Sequence, residues 1–466
     1  MSKIGTLAEP LRVAIIGSGP SAFYAADSLL KRANLSVEVD MYDRLPTPFG
    51  LVRGGVAPDH QKIKSVTKAY DRTASDPHFR FYGNVEFGTD VKLEDLKQYY
   101  HQVLFATGAQ TDRPMNIPGE DLKGSHPATE FVAWYNGHPD FRDLEFDLSQ
   151  ERVAVVGIGN VAMDVARILC RTPEELTQTD IADYALEALR NSLVKEVYVL
   201  GRRGPAQAAF TNPEIREMGQ LQDCDIWVPP EEAELDGLSQ HDLATSHDRA
   251  TQTNVEILQE YAQHQWTGKS RRMIFRFLVS PVELRGNENG QVTCMKLVKN
   301  ELYRTDVGTL RPKATGQYEE LPVGLVFRSI GYRGVPLPDV PFHERWGVIP
   351  NQLGRVTDPQ TNAPVPGLYT AGWIKRGPSG VIGTNKPDAV ETVNSMLEDA
   401  AAGVAFAPTR PGVEEAQALV AARQPRSVTY ADWQKLDQME IQRGQEVGRP
   451  RLKFTRVEAM LNALGK

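Results

Sequence analysis

The sequence predicts an α/β protein with two related nucleotide-binding units, and two observations predict it. The first is Val13-Ala14-Ile15-Ile16, a short apolar run that ends in Gly17-Ser18-Gly19-Pro20-Ser21-Ala22. A helical pattern follows to about Ala33, and then Val37, Val39 and Met41 alternate with polar residues up to Asp43. This is strand, glycine turn, helix, strand. The second observation is that the pattern recurs. Val153-Ala154-Val155-Val156 runs into Gly157-Ile158-Gly159-Asn160-Val161-Ala162, then a helix to about Leu169, and later the strand Val197-Tyr198-Val199-Leu200. A single recurrence at about 140 residues means two Rossmann-like domains, not an array of short repeats.

The remaining elements fit around these two. Val103-Leu104-Phe105 ending at Gly108, Leu325-Val326-Phe327 ending at Gly331, and Leu368-Tyr369-Thr370 ending at Gly372 read as further strands that stop in small-residue turns. Residues 230–262 are acidic and polar, and are expected to form a surface excursion with a helix at 254–264. Residues 412–466 carry helical patterns.

Composition agrees and excludes alternatives. The 466 residues allow roughly two to four domains. With 41% hydrophobic and 24% charged residues the chain is of ordinary globular kind. A net charge of −8 gives nucleic-acid binding no support. No apolar run reaches the roughly 18 residues of a membrane span. Cys170, Cys224 and Cys294 lie far apart, which excludes a C-x-x-C pair and any local zinc or iron–sulfur cluster, so no metal is expected. Sparse cysteines, and no signal peptide or presequence before Val13, lead to a cytoplasmic expectation.

Each glycine has a task. Gly17 permits the tight turn, Gly19 lets backbone approach a pyrophosphate, and Ala22 lets helix and strand pack closely. Asp43, at the end of the second strand, can accept both ribose hydroxyls and would repel a 2′-phosphate, which points to FAD or NAD. In the second unit Gly157, Gly159 and Ala162 repeat the fingerprint. There the second strand runs into Gly201-Arg202-Arg203-Gly204, and paired guanidiniums at that place suit the 2′-phosphate of NADP. One acidic-ended and one basic-ended site in one chain suggest FAD together with NADPH, a pairing that moves a hydride from nicotinamide to flavin.

Longer stretches carry a resemblance. Pro46-Thr47-Pro48-Phe49-Gly50-Leu51-Val52-Arg53, Gly55-Val56-Ala57-Pro58-Asp59-His60, Gly159-Asn160-Val161-Ala162-Met163-Asp164, Arg202-Arg203-Gly204-Pro205, Gly372-Trp373-Ile374-Lys375-Arg376-Gly377-Pro378 and Gly380-Val381-Ile382-Gly383-Thr384-Asn385 stand in order along nearly the whole chain. The chain resembles the adrenodoxin-reductase-type ferredoxin–NADP reductases, mycobacterial ones included. The resemblance implies a glutathione-reductase-like fold with one dinucleotide domain inserted in the other: FAD-binding residues 1–108 and 331–466, the latter with a helical end, and NADP-binding residues 109–330. It implies one FAD, NADPH as donor and a small iron–sulfur ferredoxin as acceptor.

By motif position the resemblance places Ser21, Asp43, Leu51, Val85, Trp373, Gly380, Val381 and Ile382 against FAD. It places Ile158, Gly159, Asn160, Val161, Arg202, Arg203 and Glu214 against NADP, with Gly380 near the nicotinamide. Backbone N–H groups before a helix starting near Thr384 would suit the negative charge of a reduced flavin edge. Trp373 stands where the wider superfamily usually has an acid, as in the adrenodoxin-reductase branch. The iron–sulfur extension of some bacterial relatives is missing ahead of Val13, so the ferredoxin is expected to be a separate protein.

His60 and Glu214 are the candidates for proton handling or nicotinamide placement. His60 also reads as a structural histidine after Pro58, and Glu214 as a helix N-terminal carboxylate after Pro213. An acidic ferredoxin wants a basic dock, for which Lys269, Arg271, Arg272, Arg276, Lys375 and Arg376 are candidates. A glutamate-synthase-like electron-transfer subunit and a non-catalytic NADP(H)-binding scaffold are the alternative readings; a flavin disulfide reductase lacks its cysteine pair.

Overall fold

The computed structural model describes residues 4–466. The chain divides into two compact units. One comprises residues up to Thr111, Asn136–Pro139 and Tyr332–Lys466; the other comprises Asp112–Tyr135 and Asp140–Gly331.

The first unit is built on a seven-stranded sheet. Five strands are parallel, in the order Pro364–Thr370, Gln102–Phe105, Leu11–Ile16, Val37–Tyr42 and Phe79–Tyr82, and the pair Asn351–Gln352 and Arg355–Thr357 adds an antiparallel edge. Leu11–Ile16 is buried along its whole length, which is why it reads as a continuous apolar run. Its side chains still alternate. Leu11, Val13 and Ile15 face a core with Phe23, Ala26, Val393 and Met396, from the helices Pro20–Leu30 and Asn385–Ala401. Ala14 and Ile16 face the opposite core, with Leu96, Phe105 and Leu368. Three more helices close the chain: Val413–Arg423, Tyr430–Gln445 and Val457–Ala463.

The second unit centres on six parallel strands in the order Ser125–Pro127, Leu325–Arg328, Arg152–Val156, Glu196–Leu200, Arg271–Arg276 and Cys224–Trp227. Val153 and Val155 pack on helices, among them Asn160–Cys170. Ala154 and Val156 pack instead on a three-stranded antiparallel sheet, Val279–Gly286, Val292–Arg304 and Leu310–Pro322, through Leu284, Met295, Leu297 and Leu321. The sequence reading does not anticipate this sheet. The expected excursion at 230–262 is less peripheral than its polarity suggests. Its last helix spans Arg249–Tyr261, not 254–264, and buries Val255, Leu258 and Tyr261, an apolar stripe at helical spacing. No described helix is long and apolar enough to cross a membrane.

The antiparallel sheet therefore replaces a helical layer. Leu297→Ala, in the middle of that contact, is expected to lower the stability of the second unit by about 2–5 kcal/mol. Urea midpoints of wild type and variant measure it.

Candidate functional site

In both units the central strand ends in a glycine that no other residue could replace. Gly17 has φ +100°, and a Cβ there would lie 2.6 Å from the Ala106 carbonyl oxygen. Gly157 has φ +137°, and its Cβ would lie 2.2 Å from the Ser329 carbonyl oxygen. The next glycines, Gly19 and Gly159, face open space. Each is the N-cap of the following helix, without a side-chain cap and with no acid in the first turn. Four other helices are capped by a side chain, that of Thr172, Asp236, Asp248 or Thr429. Two uncapped helix ends with clear space in front suit an anion, and the pyrophosphates of two dinucleotides fit both.

The first unit gathers its candidates around the Gly17–Gly19 turn. Asp43 accepts from the Ser18 N–H at 3.0 Å, from the Ser18 hydroxyl, and from the Leu45 N–H at 2.9 Å. Burial raises its pKa, and these hydrogen bonds pull it back. Its oxygens keep lone pairs for ribose hydroxyls. The Val85 N–H donates to the Asp43 carbonyl at 2.9 Å, while the Val85 side chain lies in the core, so any ligand there meets backbone. The Phe49 N–H donates to the Ser18 carbonyl at 2.9 Å, which seats Leu51 and its helix, Leu51–Gly54, against the turn.

Ser21 links the turn to the C-terminal part of the unit. Its hydroxyl donates to Asn385 Oδ1 at 3.1 Å, and a Cβ on Gly372 would collide with it. Trp373, next to Gly372, donates its indole N–H to the Ser379 carbonyl at 3.2 Å and packs on Tyr332 at 5.4 Å between ring centroids. Gly380 has φ +80°, and a Cβ there would strike the Thr384 hydroxyl at 2.4 Å. Val381 is exposed, and Ile382–Thr384 forms a 3₁₀ turn that leads into the helix Asn385–Ala401. Asp388 was not singled out in the sequence. It accepts the Gly372 N–H at 2.5 Å and pairs with Lys375 at 3.1 Å. His60 is half-buried, with its N–H on the Ala57 carbonyl at 3.0 Å, at the start of Gln61–Lys64.

The second unit arranges its own set. Ile158 accepts the Ala209 N–H at 2.8 Å through its carbonyl, and Asn160 Oδ1 accepts the Thr211 N–H at 2.9 Å. These bonds tie the Gly157–Val161 turn to the segment before Glu214. Glu214 lies in the first turn of Asn212–Met218, so the helix N-terminal reading describes its place. It is buried and accepts from Arg167 Nη1 at 3.2 Å, while Arg167 Nη2 donates to Asp164 at 2.7 Å. Arg167 is fully buried, and the sequence reading gives it no role. Arg202 is exposed and Arg203 half-buried at the end of Glu196–Leu200.

Cys170 and Cys224 meet in the core. Contact with Cys170 and burial push the pKa of the Cys224 thiol up.

Comparison with known proteins decides the family. The model for "Pyridine nucleotide-disulphide oxidoreductase" matches residues 11–217. "NADPH-ferredoxin reductase FprA" of Mycobacterium tuberculosis is 48% identical over 461 residues, covering 97% of this chain and 99% of the relative. The chain belongs to the adrenodoxin-reductase-type ferredoxin–NADP reductase family. The human "NADPH:adrenodoxin oxidoreductase, mitochondrial" is 42% identical over 464 residues, covering 97% of this chain and 92% of the relative. The solved structure "Mycobacterium tuberculosis FprA in complex with NADPH" superposes with a TM-score of 0.92 at 47% identity, covering 98% of this chain and all of that one.

The cations considered for a basic dock differ in how far the fold engages them. Arg276 is half-buried in ion pairs with Glu232 and Glu319, both at 2.7 Å. Lys269 donates to the Leu221 and Cys224 carbonyls, and Arg271 to those of Val194 and Arg171. Arg272 lies over Trp266 and near Glu196. Lys375 is buried against Asp388 and Glu391, and Arg376 bonds Ser379 and Asn385. Each of these cations has partners within the fold, and Arg272 among them stays exposed.

Behind the Leu51 helix lies a buried pair. Arg53 donates through two nitrogens to Glu440, at 2.8 and 2.6 Å, and Glu440 also accepts from Arg451 at 3.2 Å and from the Phe454 N–H at 2.8 Å. Burial raises the Glu440 carboxyl, but Arg53 and Arg451 outweigh it and leave the pKa below its ordinary 4.5. A depressed carboxylate contributes stability that is complete above the unfolded pKa and is lost as pH falls through the folded one. Glu440→Gln is expected to cost about 3–5 kcal/mol near neutral pH. It should also flatten the loss of stability that wild type shows below about pH 5. Urea midpoints across that range test both statements.

Proposed function

We propose that this chain takes electrons from NADPH and delivers them, by way of FAD, to a separate iron–sulfur ferredoxin. The observation that carries the reading is the contrast between the two dinucleotide sites. Both present an uncapped helix N-terminus, but one ends its second strand in Asp43 and the other in Arg202 and Arg203. The carboxylate suits the ribose of FAD, and the guanidiniums suit the 2′-phosphate that distinguishes NADPH from NADH. FAD, when bound, accepts a hydride's two electrons and releases them singly.

The chain's own residues hold and tune. In this reading the first unit is the FAD-binding domain and the second the NADP-binding domain. Gly17, Gly19 and Ser21 seat the flavin nucleotide's pyrophosphate. Leu51, Val85, Trp373 and the Gly380-Val381-Ile382 backbone line the flavin. Gly157, Ile158, Gly159, Asn160 and Val161 seat the NADP pyrophosphate. His60 handles a proton or places the nicotinamide. Glu214, held by Arg167, has a positioning role. A cytoplasmic location belongs to the same proposal, supported by three free and sparse cysteines.

Three experiments test it. The yellow protein should bleach with NADPH far faster than with NADH, and cytochrome c reduction should depend on added ferredoxin. Replacing Arg202 and Arg203 together by alanine should raise the KM for NADPH by about 10- to 100-fold, the loss of one or two charge-assisted bonds. An unchanged preference for NADPH would sink the assignment. His60→Gln should slow hydride transfer in stopped flow and flatten its pH dependence between about 5 and 8. A wild-type rate at every pH would leave His60 a structural residue.

A further inference from the structure

Phe49 holds a backbone conformation that its residue type avoids. Its φ is +84°, in the left-handed region. Among the described residues, most others with positive φ are glycine, Asn, Asp or His, which adopt it more readily than a buried phenylalanine does. Gly50 follows with φ +50° and ψ −126°. Two successive positive φ values turn the chain back and bring Gly50 against the N-cap of the first helix. A Cβ on Gly50 would lie 3.0 Å from the Gly19 Cα. The Phe49 N–H is thereby placed on the Ser18 carbonyl at 2.9 Å, and Ser18 is the residue whose N–H and hydroxyl hold Asp43. The Phe49 and Gly50 carbonyls accept the N–H groups of Val52, Arg53 and Gly54, so the helix Leu51–Gly54 starts at once.

Such a conformation persists only where its surroundings enforce it. The Phe49 ring lies 5.5 Å from that of Phe23, 5.9 Å from that of Tyr70 and 5.7 Å, edge-on, from that of Trp433. Phe23 and Tyr70 come from the helices Pro20–Leu30 and Thr67–Ala74, and Trp433 comes from Tyr430–Gln445 at the far end of the sequence. Trp433 is buried, and the Arg53 guanidinium lies over its ring at 5.1 Å while donating to Glu440 on the same helix. One helix therefore grips the loop twice, Phe49 through Trp433 and Arg53 through Trp433 and Glu440. That helix is itself fixed to the edge of the sheet. Tyr430 packs edge-on to Phe79 and Phe81, and its hydroxyl donates to Asp71 at 2.5 Å. Burying an aromatic ring does not require left-handed backbone. What the left-handed residue adds is the close approach of Gly50 to the dinucleotide turn.

We infer that Phe49 is a positioning residue for the flavin nucleotide, and that Trp433 holds it in its strained conformation. The inference rests on the FAD reading of the first unit and extends it to the helical end of the chain. Phe49 acts through its backbone neighbours. It sets where Gly50 and Leu51 stand beside the Gly17–Gly19 turn and, through Ser18, how Asp43 is aimed. A looser loop keeps the same polar groups but no longer holds them ready, and binding then has to supply their ordering.

The test is the release of FAD from the purified, flavin-loaded protein, followed as the rise of free-FAD fluorescence after dilution, with urea midpoints measured alongside. Phe49→Ala and Trp433→Leu should release FAD about 3- to 10-fold faster than wild type, the scale of one lost aromatic contact, and Trp433→Phe should recover most of the difference. Phe49→Gly should also release FAD faster, yet show a higher urea midpoint than Phe49→Ala, because only glycine relieves the left-handed backbone. Leu96→Ala removes an apolar side chain from the opposite core of the same unit; it should lower the urea midpoint and release FAD at the wild-type rate. If Phe49→Ala and Trp433→Leu keep the wild-type release rate, the inference falls and the FAD site stands. If Leu96→Ala releases FAD as fast as Trp433→Leu, the cause is general loosening and the inference falls likewise. A midpoint for Phe49→Ala equal to or above that of Phe49→Gly removes the strain on which the inference stands. If the wild-type protein is purified without flavin and takes up none, the FAD reading itself is lost, and the inference with it.

Discussion

A glycine turn that passes directly over the end of the neighbouring strand governs both units. At Gly17 the obstacle is the Ala106 carbonyl, and at Gly157 it is the Ser329 carbonyl. Left-handed backbone and the lack of a Cβ allow the chain to turn there at once into a helix. That abrupt turn is what points the first N–H groups of the helix away from the sheet. Everything else in the site follows from where this opening faces. The second strand of each unit ends beside it, so the residues just past that strand stand at the mouth of the opening. In the first unit Asp43 is braced by Ser18 of the turn itself. In the second, Arg202 and Arg203 stand on a turn braced from behind by a sheet.

Much of this was legible in the sequence because it is local. Strand, glycines, helix and the terminal acid or arginines fall within short windows, and their chemistry does not depend on distant residues. What escaped notice depends on pairing across long separations. Arg276 reads as a free surface cation, yet its partner Glu232 lies 44 residues away. Arg53 and Glu440 are 387 residues apart, and no spacing rule joins them. The antiparallel sheet was missed for a related reason. The strand Leu310–Pro322 is largely exposed on one face and rich in charge, so its alternation is weak, and only contact with the parallel sheet makes its few apolar residues meaningful. The reading of 230–262 as surface failed where a polar composition hid one apolar stripe.

The same pairing recasts the chain's acidity. The formal charge is −8, but many carboxylates are spent neutralising buried or half-buried arginines. Asp40, fully buried, is shared by Arg12 and Arg80, and Glu440 by Arg53 and Arg451. Such clusters depend on both signs being present, since one partner without the other is a desolvated charge.

The order of the strands has a consequence for synthesis. In the first unit Gln102–Phe105 lies between Leu11–Ile16 and Pro364–Thr370, the latter being made more than half the chain later. As the polypeptide emerges, its N-terminal strands must wait with one edge unpaired. Meanwhile the second unit, whose strands all lie between Ser125 and Arg328, can assemble complete. An open parallel edge is a site for wrong pairing. The chain therefore gains its nucleotide sites in the reverse of their order in the sequence, and the first glycine turn to be synthesised is the last to be enclosed.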